Sequence, residues 1–182
     1  MVGVSPDALI AVRSAPLERA LKAGGIVPAV RATRLKSIAR TVRDEFGGDL
    51  RGALARLPVT DAHRLLRRFP GIGAPGADRI LLFAALAPVA AVPSACPHVL
   101  TRIESGGEPA RYSTAYREAQ RALEALAPTV EARRRAYLLL KRHGQELCKR
   151  SNPRCTDCPI AARCAYARQR LRRRASRRAV MD

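Results

Sequence analysis

The sequence predicts an all-α fold. Apolar residues recur at three- and four-residue intervals along most of the 182-residue chain, and no stretch alternates with the period of two that a half-buried strand requires. Capping side chains, prolines and glycines bound the periodic segments, as helix ends demand.

Ser5, Pro6 and Asp7 supply a cap, a first-turn proline and an acid matched to the helix dipole, opening a helix over Ala8–Arg13. Leu35, Ile38, Ala39, Val42 and Phe46 share a face, and Gly47-Gly48 stops that helix. Thr60 or Asp61 is expected to cap a segment whose Leu65, Leu66 and Phe69 line one side, ended by Pro70. After Gly71-Ile72-Gly73 a further helix carries Ile80, Leu81 and Ala84. Tyr116, Ala119, Leu123 and Leu126 mark another. The next carries Ala132, Ala136, Leu139, Leu140 and His143 and is expected to close at Gly144. A cysteine-punctuated loop and an arginine tail follow, with no internal repeat. At 47% apolar, the chain can bury one good core or two small ones.

Lys and Arg number 34 against 15 Asp and Glu, a net charge of +19. Residues 141–182 hold thirteen basic and three acidic side chains, +10 in under a quarter of the chain. Such an imbalance repels itself unless a polyanion relieves it, which points to nucleic acid. An anionic membrane is the weaker candidate, because no basic amphipathic helix with a Trp, Phe or Leu face is evident. Aromatic residues make up only 4%, which argues against a base-stacking single-strand binder. Met1 to Pro6 lack the form of a signal peptide, and no apolar run approaches the roughly 20 residues of a membrane span. The expected location is cytoplasmic, associated with the nucleoid.

Cys148, Cys155, Cys158 and Cys164 are spaced C-x6-C-x2-C-x5-C, with Pro153 and Pro159 between them. Thiols this dense in a cytoplasmic chain point to a metal centre before disulfides. Spacing alone leaves tetrahedral zinc and an iron–sulfur cluster both open. Cys96, in an alanine-rich stretch, reads as a small buried hydrophobe, and His143 as a hydrogen-bonding residue at a helix end rather than a ligand.

Leu65-Leu66-Arg67-Arg68-Phe69-Pro70-Gly71-Ile72-Gly73, followed by Ala77 and Ile80, has the pattern of a helix-hairpin-helix. Its glycines let the backbone turn closely, and amides at the start of the second helix face a phosphate. Such a grip positions DNA without reading bases. Candidate contacts are Pro70, Gly71, Ile72 and Gly73, with Lys149, Arg150, Arg154 and Arg163 from the cysteine loop.

The stretch His143-Gly144-Gln145-Glu146-Leu147-Cys148 through Pro153-Arg154-Cys155-Thr156-Asp157-Cys158-Pro159-Ile160 to Cys164 resembles the cluster loop of the endonuclease III and adenine glycosylase family. Hairpin and loop follow in that family's order, so the resemblance runs from about Ser5 to Tyr166. It implies the iron–sulfur branch of the helix-hairpin-helix (HhH-GPD) DNA glycosylase superfamily, a base-excision repair fold. It also implies a [4Fe-4S] cluster on Cys148, Cys155, Cys158 and Cys164, and double-stranded DNA as a sequence-nonspecific partner. The implied organisation is a helical domain over 1–108 with the hairpin at about 60–86, helices and cluster loop over 109–167, and an Arg-rich tail over 168–182.

The resemblance fails where the family does its chemistry. The nucleophilic lysine of its lyases falls on Pro75, which has no free amine to form a Schiff base. Its catalytic aspartate falls on Pro93, where Val92-Pro93-Ser94 leads into Val99-Leu100-Thr101-Arg102. Asp78, expected in the first turn of the second hairpin helix, and Glu104, expected in a loop, are weak substitutes, and Asp61 reads as a cap. The family's first helices are also missing, so a protein partner or a second copy is expected to cover the surface they leave. A DNA-binding scaffold without classical glycosylase or lyase activity is the leading expectation. A monofunctional glycosylase using a displaced carboxylate and a redox-sensing iron–sulfur regulator are the alternatives. Arg168 to Arg178, seven arginines in eleven residues, is expected to be disordered when free and to attract phosphates, with a solvated helical extension as the other possibility.

Overall fold

The computed structural model describes residues 5–24 and 26–178, and every regular element among them is helical. Met1 to Val4, Gly25 and residues 179–182 of the Arg-rich tail lie outside the described residues. The helices are α1 (Pro6–Ala11), α2 (Ser14–Leu21), α3 (Pro28–Phe46), α4 (Leu50–Ala55), α5 (Val59–Leu66), α6 (Ala74–Phe83), α7 (His98–Glu104), α8 (Tyr112–Leu126), α9 (Val130–Glu146) and α10 (Ala165–Arg178). The all-α expectation is met. The chain divides into two compact units, Met1–Ala77 and Asp78–Asp182, so the division falls inside α6. Residue 108 lies in the loop between α7 and α8.

In the first unit α1 and α2 pack on the long α3. Ser5 caps α1 by accepting from the Ala8 amide at 3.2 Å, and Gly47, at φ 57°, ends α3 in the left-handed region. Leu17, Ala39, Val42, Leu66 and Phe69 form much of the buried apolar surface. Two cations of α3 close neighbouring helix ends. Arg31 donates to the Leu21 carbonyl at 3.0 Å, and Lys36 to the Val12 carbonyl at 2.5 Å, where unpaired carbonyls and the helix dipole both favour positive charge.

The second unit is built on α7, α8 and α9, whose core includes Val92, Cys96, Val99, Tyr116, Leu123 and Leu140. Thr129 caps α9 by accepting from the Ala132 amide at 3.1 Å. Arg133 donates to the Ala127 carbonyl beyond α8 at 2.7 Å, and Arg134 to the Leu82 and Phe83 carbonyls of α6 at 3.0 and 2.9 Å.

Four local expectations need correction. Helix α5 starts at Val59 with Pro58 as N-cap, so Thr60 and Asp61 sit in its first turn, and Asp61 pairs with Arg64 at 2.6 Å. Helix α9 runs on through Gly144 to Glu146. There a Cβ on Gly144 would overlap the Cys96 sulfur and stand 2.9 Å from its Cβ, so glycine serves close packing rather than termination. Helix α7 replaces an expected loop, with His98 to Arg102 all buried. Finally, the described part of the arginine tail is helical, as α10, not disordered.

Candidate metal centre and nucleic-acid interface

The cysteine loop begins where α9 ends. The Leu147 and Cys148 amides both donate to the His143 carbonyl, at 3.0 and 2.8 Å, and the Arg154 amide closes the loop on the Leu147 carbonyl at 2.9 Å. Two single 3₁₀ turns, Cys155–Asp157 and Ala161–Arg163, then carry the chain to α10. Cys148, Cys155, Cys158 and Cys164 line one cavity, walled mainly by Ile103, Leu147, Pro153, Ile160, Tyr166 and Ala167. His143 also reaches this cavity, its Nε2 lying 3.8 Å from the Cys158 sulfur. Among the described residues no group of three or more His, Cys, Asp or Glu side chains is arranged to hold a single metal ion. Burial pushes the Cys148 and Cys155 thiols up; at Cys148 the Arg102 guanidinium works in the opposite direction.

Arg102 fixes this loop from beneath. Its side chain is 3% exposed. Nη1 donates to the Lys149 carbonyl at 3.0 Å and contacts the Cys148 sulfur at 3.5 Å, while Nη2 donates to the Arg150 carbonyl at 2.8 Å. The same guanidinium pairs with Glu108 and lies 4.5 Å from the centre of the Tyr166 ring. A buried cation is tolerated only with such partners, and the planar fork of Arg reaches several at once. His98 adds a contact between its Nε2 and the Cys148 carbonyl at 2.8 Å. Because a carbonyl can only accept, Nε2 is the donor, and burial holds the His98 imidazole below its ordinary pKa.

The hairpin turn is a matter of backbone. Gly71 has φ 83°, where a Cβ is strained, and the Ile72 amide donates to the Phe69 carbonyl at 3.2 Å. The Ala77 amide returns to the Gly73 carbonyl at 3.0 Å, so α6 starts directly after the turn and leaves its first amides outside the helix ladder. Pro70, Gly71 and Gly73 are exposed and Ile72 is half-buried.

At the positions matched to the family's catalytic residues, Pro75 is the second residue of α6 and Pro93 is buried, its carbonyl accepting from the Cys96 amide at 2.8 Å. Asp78 stands beyond the first turn of α6 and is 7% exposed. Its Oδ2 accepts from the Tyr116 hydroxyl at 2.9 Å and from the Gln120 amide at 3.1 Å. It is therefore a packed, engaged carboxylate rather than a dipole-matching surface acid. Glu104 is exposed at the last position of α7 instead of in a loop.

Lys149, Arg150, Arg154 and Arg163 are all exposed, on the cysteine loop as the sequence requires. Two already have carboxylate partners: Arg150 meets Glu108 at 3.3 Å, and Arg154 meets Asp157 at 2.8 Å. Sequence reasoning placed Arg102 in a motif but gave it no role. The signal was thin, because the Cys148 to Arg150 segment it supports lies 46 to 48 positions away.

No protein-family model and no curated protein matches the chain. Solved structures do. An endonuclease III–DNA non-covalent complex aligns at TM-score 0.66 and 22% identity, covering 92% of this chain and 72% of that one. A trapped endonuclease III–DNA covalent intermediate aligns at 0.67 and 21%, covering 93% and 72%. A thermostable thymine-DNA glycosylase aligns at 0.66 and 20%, covering 92% and 71%. The chain shares the helical fold of these endonuclease III and thymine-DNA glycosylase structures.

Proposed function

We propose that this protein is a DNA-binding [4Fe-4S] protein on an endonuclease III-like scaffold, which grips double-stranded DNA without sequence preference and recognises its structure or damage without lyase chemistry. One observation carries the reading: a single loop turns four thiols inward around one cavity and exposes Lys149, Arg150, Arg154 and Arg163 outward. The donor set fits the cluster. Each iron of a [4Fe-4S] unit takes one thiolate and stands apart from the others, so the sulfurs surround a space instead of closing on one point. Cys148, Cys155, Cys158 and Cys164 would hold it, and it would cross-brace the loop. Arg102 offers a cation beside the Cys148 sulfur, and hydrogen bonds to cluster thiolates are a usual means of tuning them.

The DNA grip rests on two separate features, the exposed hairpin turn, after which the helix leaves its first amides outside the ladder, and the exposed loop cations, each a means of holding phosphate. Pro75 lacks an amine and Pro93 lacks a carboxylate, so neither can take the family's catalytic role. Asp78 is tied to Tyr116 and Gln120, which leaves the displaced-carboxylate alternative without its best candidate.

The test has two arms. Protein purified without oxygen is expected to carry about four irons per chain and to lose them in Cys155→Ser. Iron-free protein, or zinc in its place, overturns the cluster. Fluorescence anisotropy on two duplexes of unrelated sequence is expected to give equal affinities. Plotted against log salt, log affinity should fall with a slope of about −0.9 per phosphate contacted. A flat salt profile overturns the DNA reading.

A further inference from the structure

Tyr112, the first residue of α8, is 44% exposed. Its ring stacks on Tyr116, with centroids 6.0 Å apart and planes 25° from parallel. Tyr116 is itself 6% exposed and fixed at its far end: its hydroxyl donates to Asp78 at 2.9 Å and accepts from the Val92 amide at 3.5 Å. Gln120 clamps the same carboxylate at 3.1 Å while donating to the Ala90 carbonyl at 3.1 Å. The outer ring is thus backed by an anchored inner one, and little side-chain freedom remains for a ligand to freeze.

The surroundings say what such a ring would take. Arg111, which precedes it, is exposed; burial pushes the Tyr112 phenol up, and the charge of Arg150, itself paired with Glu108 at 3.3 Å, works the other way. An apolar protein partner would have to desolvate those guanidinium groups. A nucleobase instead brings a π-face for the ring and a phosphate for Arg111. Bases inside a duplex are already stacked on both faces, so only an unpaired base can reach the tyrosine.

We propose that Tyr112 is the stacking platform for one unpaired nucleobase, with the exposed Arg111 on an adjoining phosphate. This rests on the DNA-binding reading and names the DNA feature that the protein selects. A single platform needs one exposed ring, so it is compatible with an aromatic content of 4% that argues against base stacking along a single strand.

The experiment uses the full chain and two probes, a fully paired duplex and the same duplex with a one-nucleotide bulge carrying 2-aminopurine. The wild type is expected to prefer the bulge by about ten-fold, with the probe's fluorescence quenched on binding. Tyr112→Ala should lose both the preference and the quenching while keeping its affinity for the paired duplex. Tyr112→Phe should retain both, and Tyr112→Leu, which keeps apolar bulk without a π-face, should not. Circular dichroism melts confirm that the variants fold. A wild type that binds both probes equally overturns this inference and leaves the duplex-binding function standing. So does a Tyr112→Ala or Tyr112→Leu protein that keeps the preference. Absence of salt-dependent binding to either probe overturns both.

Discussion

The hairpin turn and the cysteine loop both connect helices, yet they are held in opposite ways. The hairpin is specified by its own backbone: Gly71 takes φ 83°, and its hydrogen bonds reach three or four residues along the chain. The loop is specified from outside, by Arg102 and His98 on α7, which contact a segment 46 to 50 positions later. A turn of the first kind tolerates changes around it and fails at one glycine. A turn of the second kind fails when a distant side chain is lost.

Arg102→Ala should show this most strongly. It leaves the Lys149 and Arg150 carbonyls without their donor, at about 1–3 kcal/mol each, while Glu108 keeps Arg150 as a partner. Urea unfolding should register that loss, together with reduced iron content. Arg102→Lys keeps the charge but not the fork, so it should recover only part. Were Arg102→Ala as stable as the wild type, the loop would be self-supporting like the hairpin.

The next effect is at Gly144, where α9 leads into the loop. Gly144→Ala drives a methyl into Cys96 and should cost about 1–3 kcal/mol by overpacking. Adding Cys96→Ala should restore part of that, and the non-additivity of the pair in denaturation measures the contact directly.

The smallest effect is expected at the hairpin. Gly71→Ala places a Cβ in the left-handed region, worth about 1–2 kcal/mol. Thermal unfolding should show this modest loss, and anisotropy a weaker grip on the paired duplex, with iron content unchanged. A fall in iron content would mean that the two turns are not independent.

These two kinds of specification also explain what could be read in advance. The Ser5 cap, the Gly47 stop and the hairpin glycines are local, and each was legible from a few neighbouring letters. Helix α7 was hidden because His98 to Arg102 are buried all round, so no polar face marks its period. Gly144 looked like a stop because its partner, Cys96, is 48 positions earlier. The arginine tail looked disordered because its composition opposes helix formation by like-charge repulsion, yet Ala167 buries the root of α10 and Tyr166 meets Arg102 there. Of the candidate site, the four cysteines and the exposed cations stood in the sequence. Arg102's hub and the Tyr112–Tyr116–Asp78 stack did not, since long-range partners leave no local trace.

The helix-end cations carry a consequence for how the charge of +19 is understood. Arg31, Lys36, Arg133 and Arg134 each sit on the backbone carbonyls at the end of a neighbouring helix, and Arg102 is buried on the loop. Such groups have already exchanged solvent for peptide oxygen, so they have little left to exchange with a phosphate. The formal charge thus contains two populations, one that assembles the protein and one available to a polyanion. Acidic substitutions would unfasten helices in the first, and in the second would spare the fold while weakening the grip on DNA.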